Sequence, residues 1–166
     1  MAQNQYVSSP SRVQLMIEME KQFNLKNVAF FESLIEHKDN VIRTRSVCIL
    51  ANIAGENAVK SIAGVLKRDS DALVRHEAAF SLGQLGFTSA LKPLLEAIET
   101  DPSLFVRHEA AIAVGVIGSE EGRLGLINAL NDPNEEVRES VKIALANLDY
   151  IASTNGNTEF SKLTGG

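Results

Sequence analysis

The chain has 166 residues, of which 45% are hydrophobic and 22% are charged, a balance typical of one globular domain. Aromatic residues make up only 5% and there is no tryptophan, whereas alanine, leucine, isoleucine and valine are plentiful. This composition favours close-packed helices over a β-sandwich. The formal net charge of −5 argues against nucleic acid as a partner, because phosphate binding needs a basic face, and it is compatible with a cationic substrate.

Cysteine usage and hydropathy predict a cytoplasmic protein. The one cysteine, Cys48, cannot form an internal disulfide, which is typical of a reducing compartment. It stands in the apolar run 47–50, so we expect its thiol to be buried and unreactive. The first residues lack the charged and then apolar pattern of a secretory signal. The sequence contains no run of about 18 apolar residues, so we expect no membrane span.

The predicted elements begin with an amphipathic helix at about residues 11–23, which would cap the N-terminal end of the fold. After it, one pattern recurs four times: a helix, a short turn, a second helix and a break. The repeats span about residues 27–56, 57–87, 88–119 and 120–150. Each second helix carries an arginine in the same phase, with offsets of 32, 32 and 31 residues between Arg43, Arg75, Arg107 and Arg138.

The ends of the repeats also recur. Four positions before each arginine stands a residue type that commonly caps a helix N-terminus: Asp39, Asp71, Ser103 and Asn134. Short breaks at 55–57, 86–89 and 118–120 close the first three repeats. The segment 153–166 has no periodicity, so we expect a repeat domain at 1–152 followed by a disordered tail.

One such helix pair cannot bury its apolar face alone and must stack on its neighbours. The sequence therefore predicts an all-α superhelix, a solenoid of four helix pairs and a capping helix, which resembles HEAT-like repeats. We expect the repeated arginines to form a structural ladder between repeats with the aspartates near them, because guanidinium groups make multidentate pairs with carboxylates. These aspartates are Asp39, Asp69, Asp101 and Asp132.

The two positions after each arginine are where the repeats differ. They read Thr44-Arg45, His76-Glu77, His108-Glu109 and Glu139-Ser140. Packed helices lie roughly 8–10 Å apart, so equivalent histidines on stacked repeats can approach one metal ion. Each glutamate lies about 100° further around its helix and reaches a neighbouring spot. The third histidine, His37, has no such partner, and we expect it to be a solvated turn residue.

Imidazole and carboxylate without thiolate favour iron or manganese. Two histidines and one carboxylate form the ligand set of non-haem iron oxygenases, and carboxylate-rich histidine sites hold di-iron centres. Zinc accepts the same ligands, so it stays open as an alternative. The plainer interpretation is that a duplicated repeat carries histidine and glutamate near a helix start without any ligand.

At these residues the sequence resembles deoxyhypusine hydroxylase, a HEAT-repeat family whose two halves each carry two His-Glu motifs and hold a di-iron centre between them. The resemblance rests on segments 43–47, 73–84, 106–111 and 137–145, and it extends over about residues 27–150. It implies that His76, Glu77, His108 and Glu109 are metal residues. It also implies an iron-dependent monooxygenase that hydroxylates an unactivated C–H bond with O₂ as co-substrate. Glu77 and Glu109 would then be catalytic carboxylates, either as ligands or as groups that orient substrate or a ligand water.

The family enzyme has four His-Glu motifs, whereas this chain has two. A symmetric homodimer would restore the full set and hold two irons, about one per chain. The family acts on a lysine-derived, amine-bearing side chain of a translation factor, so the resemblance implies a protein or amine-bearing substrate. No residue of this chain identifies that substrate or the electron donor.

Two other interpretations stay open. One is a HEAT-repeat scaffold for protein–protein interaction, which grips a partner along its concave face and has no catalytic activity. The other follows from the likeness of the repeat to phycobilin lyase-type proteins, and it is a lyase or chaperone role on a tetrapyrrole-carrying protein. Cys48 lies in an apolar stretch and offers little for covalent chemistry on such a ligand.

Overall fold

The computed structural model describes residues 10–154, 156 and 158–163, and over these residues it is helical without any strand. Helix α1 spans Pro10–Asn24 and precedes four helix pairs. The pairs are α2 Val28–Leu34 with α3 Asn40–Ile53, α4 Ala58–Arg68 with α5 Ala72–Leu85, α6 Leu91–Thr100 with α7 Leu104–Ile117, and α8 Arg123–Ala129 with α9 Glu135–Thr154. The prediction of an all-α repeat solenoid with four pairs and a preceding helix is confirmed.

The second helices of successive repeats pack side by side in the order α3, α5, α7 and α9, and each first helix packs on the second helix of its own repeat. The residue before each repeated arginine is completely buried in this stack, at Ile42, Val74, Val106 and Val137. Burial of one such side chain stabilises the fold by about 1.5–3 kcal/mol. The periodic apolar positions of the sequence are therefore the core of the solenoid.

Small residues set the spacing between the second helices. A Cβ added to Gly83 of α5 would lie 2.8 Å from Cβ of Ala113 in α7. A Cβ added to Gly115 of α7 would lie 2.9 Å from Cβ of Ala144 in α9. Carbon atoms are not tolerated at such distances. Only glycine therefore permits these helices to approach as closely as they do.

The arginine ladder is confirmed, and each of the first three arginines pairs with the aspartate of the next repeat. The Nε atoms of Arg43, Arg75 and Arg107 donate over 2.7 Å to Asp69, Asp101 and Asp132, and a second nitrogen of each guanidinium makes the contact bidentate. A further guanidinium nitrogen of each arginine donates to a backbone carbonyl six residues earlier in the chain. Arg138 keeps this backbone bond, to the carbonyl of Asp132.

Three of the four predicted caps are present. The side chains of Asp39, Asp71 and Asn134 accept hydrogen bonds from the backbone N–H groups two residues later. Ser103 makes no such bond, so its prediction as a side-chain cap is wrong. Its own N–H donates to Asp101, which also holds Arg75. The N–H groups of Asp71 and Asn134 make the same bond to Asp69 and Asp132, so this bond orders all three turns whether or not a side-chain cap is present.

The expected burial of Cys48 is wrong, because its side chain is exposed. The 32-residue offset makes Cys48 equivalent to Phe80, which is also exposed. Consecutive residues of a helix point in different directions, so an apolar run places side chains on every side of the helix. Cys48 lies on a solvent-exposed side of α3. The thiol faces a groove lined by Val13, Met16 and Ile17 of α1.

The segment after residue 152 differs from the disordered tail that we expected. Helix α9 continues to Thr154, and Phe160–Lys162 form a 3₁₀ turn in which Ser161 is buried. The side-chain amide of Asn147 holds this turn by donating to the backbone oxygens of Gly115 and Ser161. Residues 155, 157 and 164–166 lie outside the described residues. Within the described part of the chain, no helix combines the length and apolarity needed to span a membrane.

Candidate metal centre

The two His-Glu pairs lie near the starts of α5 and α7, on helices that pack directly against each other. Asp71 caps α5 and Asp101 orders the turn before α7, so both helices begin in the same register relative to their pairs. The close approach at Gly83 and Ala113 then brings the two faces together. The fold places His76, Glu77, His108 and Glu109 side by side across the two helices, and these four residues form the His-Glu row.

The closest contact between the pairs joins His76 to Glu109. Nε2 of His76 lies 3.3 Å from Oε2 of Glu109, across the boundary between two repeats. The Glu109 side chain is only 10% exposed, whereas that of His76 is 34% exposed. The carboxylate raises the pKa of His76, and partial burial of the imidazole acts in the opposite direction. The pair thus joins a partly exposed imidazole to a nearly buried carboxylate.

Glu77 lies beside this pair and is half-buried. The pKa of its carboxyl is raised, mainly because burial disfavours the charged form and also because Glu109 carries the same charge. The charge of His76 and a hydrogen bond from Ser81 act in the opposite direction. The Ser81 hydroxyl is 3.5 Å away. Glu77 also interacts with the Cys48 thiol, and partial burial of the sulfur together with the Glu77 carboxylate raises the pKa of that thiol. Glu77 therefore connects the His-Glu row to the groove beside α1.

His108 makes a different contact. Its Nδ1 lies 2.5 Å from the hydroxyl oxygen of Ser140 in α9. Ser140 occupies the position of the last repeat at which the two central repeats carry glutamate. Each histidine therefore contacts the second position of the following repeat, which is Glu109 for His76 and Ser140 for His108. The packing of α5 on α7 and of α7 on α9 produces this stepwise pairing.

The structure thus brings His76 and Glu109 into contact with Glu77 beside them, and it bonds His108 to Ser140. Among the described residues, no three histidine, cysteine or acidic side chains surround one point closely enough to hold a metal ion. His37 lies apart from the row, half-buried in its turn, where its Nδ1 accepts the N–H of Asp39. One chain accordingly presents pairs of donors instead of a complete coordination shell.

The donor spacing fits a metal ion. Nitrogen and oxygen ligands lie about 2.0–2.2 Å from metals of the zinc and iron type, so two ligand atoms of one ion are at most about 4.4 Å apart. The separation of 3.3 Å between His76 and Glu109 satisfies this limit. It is slightly longer than the 2.7–3.2 Å typical of an N–H···O hydrogen bond, so the two atoms are not held to each other by an optimal bond.

Apolar side chains surround the row. Leu73 and Phe80 stand three residues before and four residues after His76, which places them on the same side of α5. Phe105 stands three residues before His108 on α7, as Leu73 does before His76 on α5. All three are exposed, and Phe105 is 66% exposed. The donors therefore lie within a surface that has apolar groups on it.

Sequence reasoning did not assign a role to Ser140. Ser140 follows Glu109 by 31 residues, so it occupies the same repeat position as Arg45, Glu77 and Glu109. This alignment is the sequence signal that could have identified it. A serine in a column of charged residues gives no indication of its partner. Its contact with His108 becomes visible only when α7 and α9 are packed together.

Stacked helix pairs with an arginine–aspartate ladder define a protein of the α-helical repeat class. Residues 61–146 match the family of HEAT repeats, and this range is more than half of the chain. The chain belongs to the HEAT repeat family. No curated protein sequence matches it.

Among solved structures, human deoxyhypusine hydroxylase in complex with glycerol is similar to this chain, with a TM-score of 0.73 and 26% sequence identity. The match covers 85% of this chain and 50% of the human chain. This chain therefore spans half the length of the hydroxylase that it resembles. The expected structural relation to that enzyme is confirmed at the level of the fold.

Proposed function

We propose that this protein is a non-haem iron enzyme, an O₂-dependent hydroxylase related to deoxyhypusine hydroxylase, whose metal site is completed by a second copy of the chain. The observation that carries the proposal is the contact of His76 with Glu109, an imidazole and a carboxylate from neighbouring repeats at ligand spacing. The similarity to the human hydroxylase supports the same chemistry.

The donors would be His76, Glu77, His108 and Glu109. Nitrogen and carboxylate oxygen without a thiolate are the donor set that iron takes in oxygenases and in di-iron proteins. Bound iron would supply activation of O₂ for oxidation of a C–H bond. Glu109 is almost buried and faces His76, which suits a ligand. Glu77 accepts a hydrogen bond from Ser81, which suits either a metal ligand or a carboxylate that orients substrate.

The homodimer is supported by the number of donors in one chain. The chain covers half of the human hydroxylase, and its described residues provide no cluster of three donors around one point. A two-fold axis through the row would bring a second set of two histidines and two glutamates to the first. The exposed Leu73, Phe80 and Phe105 would then be buried between the two copies.

The substrate that suits this surface is a cation. The chain as a whole carries a net charge of −5, whereas one bound Fe²⁺ per chain would offset the charge of Glu77 and Glu109. An amine-bearing side chain of a protein would be attracted to the acidic chain as a whole. The net charge and the exposed apolar residues Leu73, Phe80 and Phe105 together suit an aliphatic amine.

Iron analysis of the purified protein tests the proposal. Protein prepared with Fe²⁺ without oxygen should bind about one iron per chain and sediment as a dimer, as a shared two-fold site requires. Metal-bound protein that sediments only as a monomer would disprove completion by a second copy. Protein that binds no iron under aerobic or anaerobic conditions would disprove the enzyme.

A scaffold function is the second candidate, and a specific observation favours it. Leu73 and Phe105 expose large apolar side chains at equivalent positions of neighbouring repeats, as a surface that grips another protein does. This candidate predicts a surface that binds a partner without metal. The absence of iron from pure, folded protein would favour it over the hydroxylase.

A further inference from the structure

Ser140 has two short polar contacts and only one hydrogen to share between them. Its Oγ lies 2.6 Å from the backbone oxygen of Glu136, one turn earlier in α9. It also lies 2.5 Å from Nδ1 of His108 in α7. The serine is 1% exposed, so bulk water does not take part in either contact. Each contact needs a hydrogen between its two heavy atoms.

The carbonyl oxygen of Glu136 carries no hydrogen, so the hydrogen in its contact must be that of the Ser140 hydroxyl. The hydrogen in the second contact must then come from Nδ1 of His108. With the opposite assignment, two oxygen atoms would face each other at 2.6 Å with only lone pairs between them. That arrangement leaves a buried acceptor without a donor and is unfavourable.

We infer that Ser140 is a positioning residue that fixes His108 as the tautomer with hydrogen on Nδ1, leaving the Nε2 lone pair free to bind a divalent metal ion. The assignment of the proton rests on the two contacts alone, and the role of Nε2 as a ligand rests on the proposed function. Metal-binding histidines usually donate their other ring N–H to an oxygen acceptor, which fixes the orientation of the ring.

The serine explains why the row of donors ends at His108. At the equivalent position of the preceding repeat, Glu109 faces Nε2 of His76 and is itself a possible ligand. Ser140 faces the other ring nitrogen of His108 and offers a neutral acceptor. The two histidines of the row therefore meet the following repeat through different nitrogens, and the last repeat supplies support for a ligand instead of a ligand.

The tautomer is measured in metal-free, ¹⁵N-labelled protein at alkaline pH by long-range ¹H–¹⁵N correlation. In the unmodified protein we expect a single form of His108 with hydrogen on Nδ1. Ser140→Ala should shift His108 towards the Nε2–H form, and Ser140→Thr, which keeps the hydroxyl, should restore the Nδ1–H form.

Ser46→Ala is the matched control. Ser46 is buried in α3, and its hydroxyl donates over 2.8 Å to the carbonyl of Ile42, one turn earlier, like that of Ser140. Loss of the Ser46 hydroxyl should leave the His108 tautomer unchanged. A change of the same size in both variants would mean that a general loosening of the helices, and not Ser140, alters His108, and this would overturn the inference.

Anaerobic titration with Fe²⁺ gives the second readout. Ser140→Ala should weaken iron binding about 10- to 100-fold, as loss of a group that supports a ligand does, while Ser46→Ala should not. Hydrogen on Nε2 in the unmodified protein, or an unchanged Nδ1–H form in Ser140→Ala, would overturn the inference. If the tautomer responds as expected but no variant binds Fe²⁺, the role of Ser140 stands and the proposed iron enzyme falls.

Discussion

Nε2 of His76 lies 3.3 Å from Oε2 of Glu109, so the histidine of one repeat meets the glutamate of the next one and not the glutamate beside it in the sequence. Residues 76 and 77 point about 100° apart on their helix, which keeps His76 and Glu77 from sharing one direction. The useful unit is therefore formed between repeats. Its geometry depends on how α5 and α7 pack.

Removal of either central histidine should abolish metal binding without unfolding the chain. His76→Ala and His108→Ala should each weaken Fe²⁺ binding by more than about 100-fold, because loss of a supporting residue alone costs about 10- to 100-fold. The helical circular dichroism spectrum should stay unchanged. His37→Ala is the control, since His37 lies in a turn away from the row. Equal iron binding by all three variants would contradict the assignment.

The stability of the metal-free protein should fall as the pH rises past neutrality. Contact with Glu109 raises the pKa of His76 against the opposing effect of burial. A raised folded-state pKa contributes stability that is fully present below the unfolded value of about 6.5 and is lost as the pH rises through the folded value. Glu109→Gln should therefore flatten the dependence of Tm on pH in this range. Glu99→Gln, an equal charge change on exposed surface, should leave the slope unaltered.

The central ion pair of the arginine ladder, Arg75 with Asp101, should be essential for the stability of the protein. Arg75→Met would leave Asp101 buried without its partner, and we expect a loss of about 3–5 kcal/mol in the free energy of unfolding measured in urea. The side chains of both residues are at most 10% exposed. Arg123→Met removes an arginine whose partners Glu120 and Asp149 are exposed, so its loss should be much smaller. Similar losses in the two variants would contradict this interpretation.

A methyl group between α5 and α7 should disturb both the fold and the proposed metal site. Gly83→Ala places a Cβ 2.8 Å from that of Ala113, and overpacking of this kind costs about 1–3 kcal/mol. Iron binding should weaken as well, because α5 carries His76 and α7 carries Glu109. In Gly64→Ala the nearest atom belongs to the exposed end of Arg68, which can move. That control should be stabilised by about 0.4–1 kcal/mol.

The proposed dimer predicts where a charge will prevent association. Phe105→Asp introduces a carboxylate beside the His-Glu row, where desolvation in an apolar interface is costly. Sedimentation with Fe²⁺ should then show a monomer, and iron binding should fall. Leu124→Asp changes a residue of α8 that is similarly exposed, at 70% against 66% for Phe105, and should remain dimeric. A dimer that persists in Phe105→Asp and is lost in Leu124→Asp would place the contact on a different face.

Much of the fold follows from linear information. A helix repeats every 3.6 residues and the chain repeats every 31 or 32, so the core positions, the ladder arginines and the adjacency of the two His-Glu pairs were all predictable. The likeness to deoxyhypusine hydroxylase was also evident from the motifs around residues 75 and 107. These features depend only on residue types at fixed spacing.

Tertiary structure decided the contacts within that frame. The partner of each histidine depends on the shift between neighbouring helices, which the close approaches of Gly83 to Ala113 and of Gly115 to Ala144 determine. Ser140 thereby reaches His108, and the outward position of Cys48 on α3 brings its thiol to Glu77. Asn147 holds the turn at Ser161 because two backbone oxygens from distant parts of the chain meet its amide. Contacts of this kind depend on distances of a few tenths of an ångström between helices, and residue spacing along a chain does not contain that information.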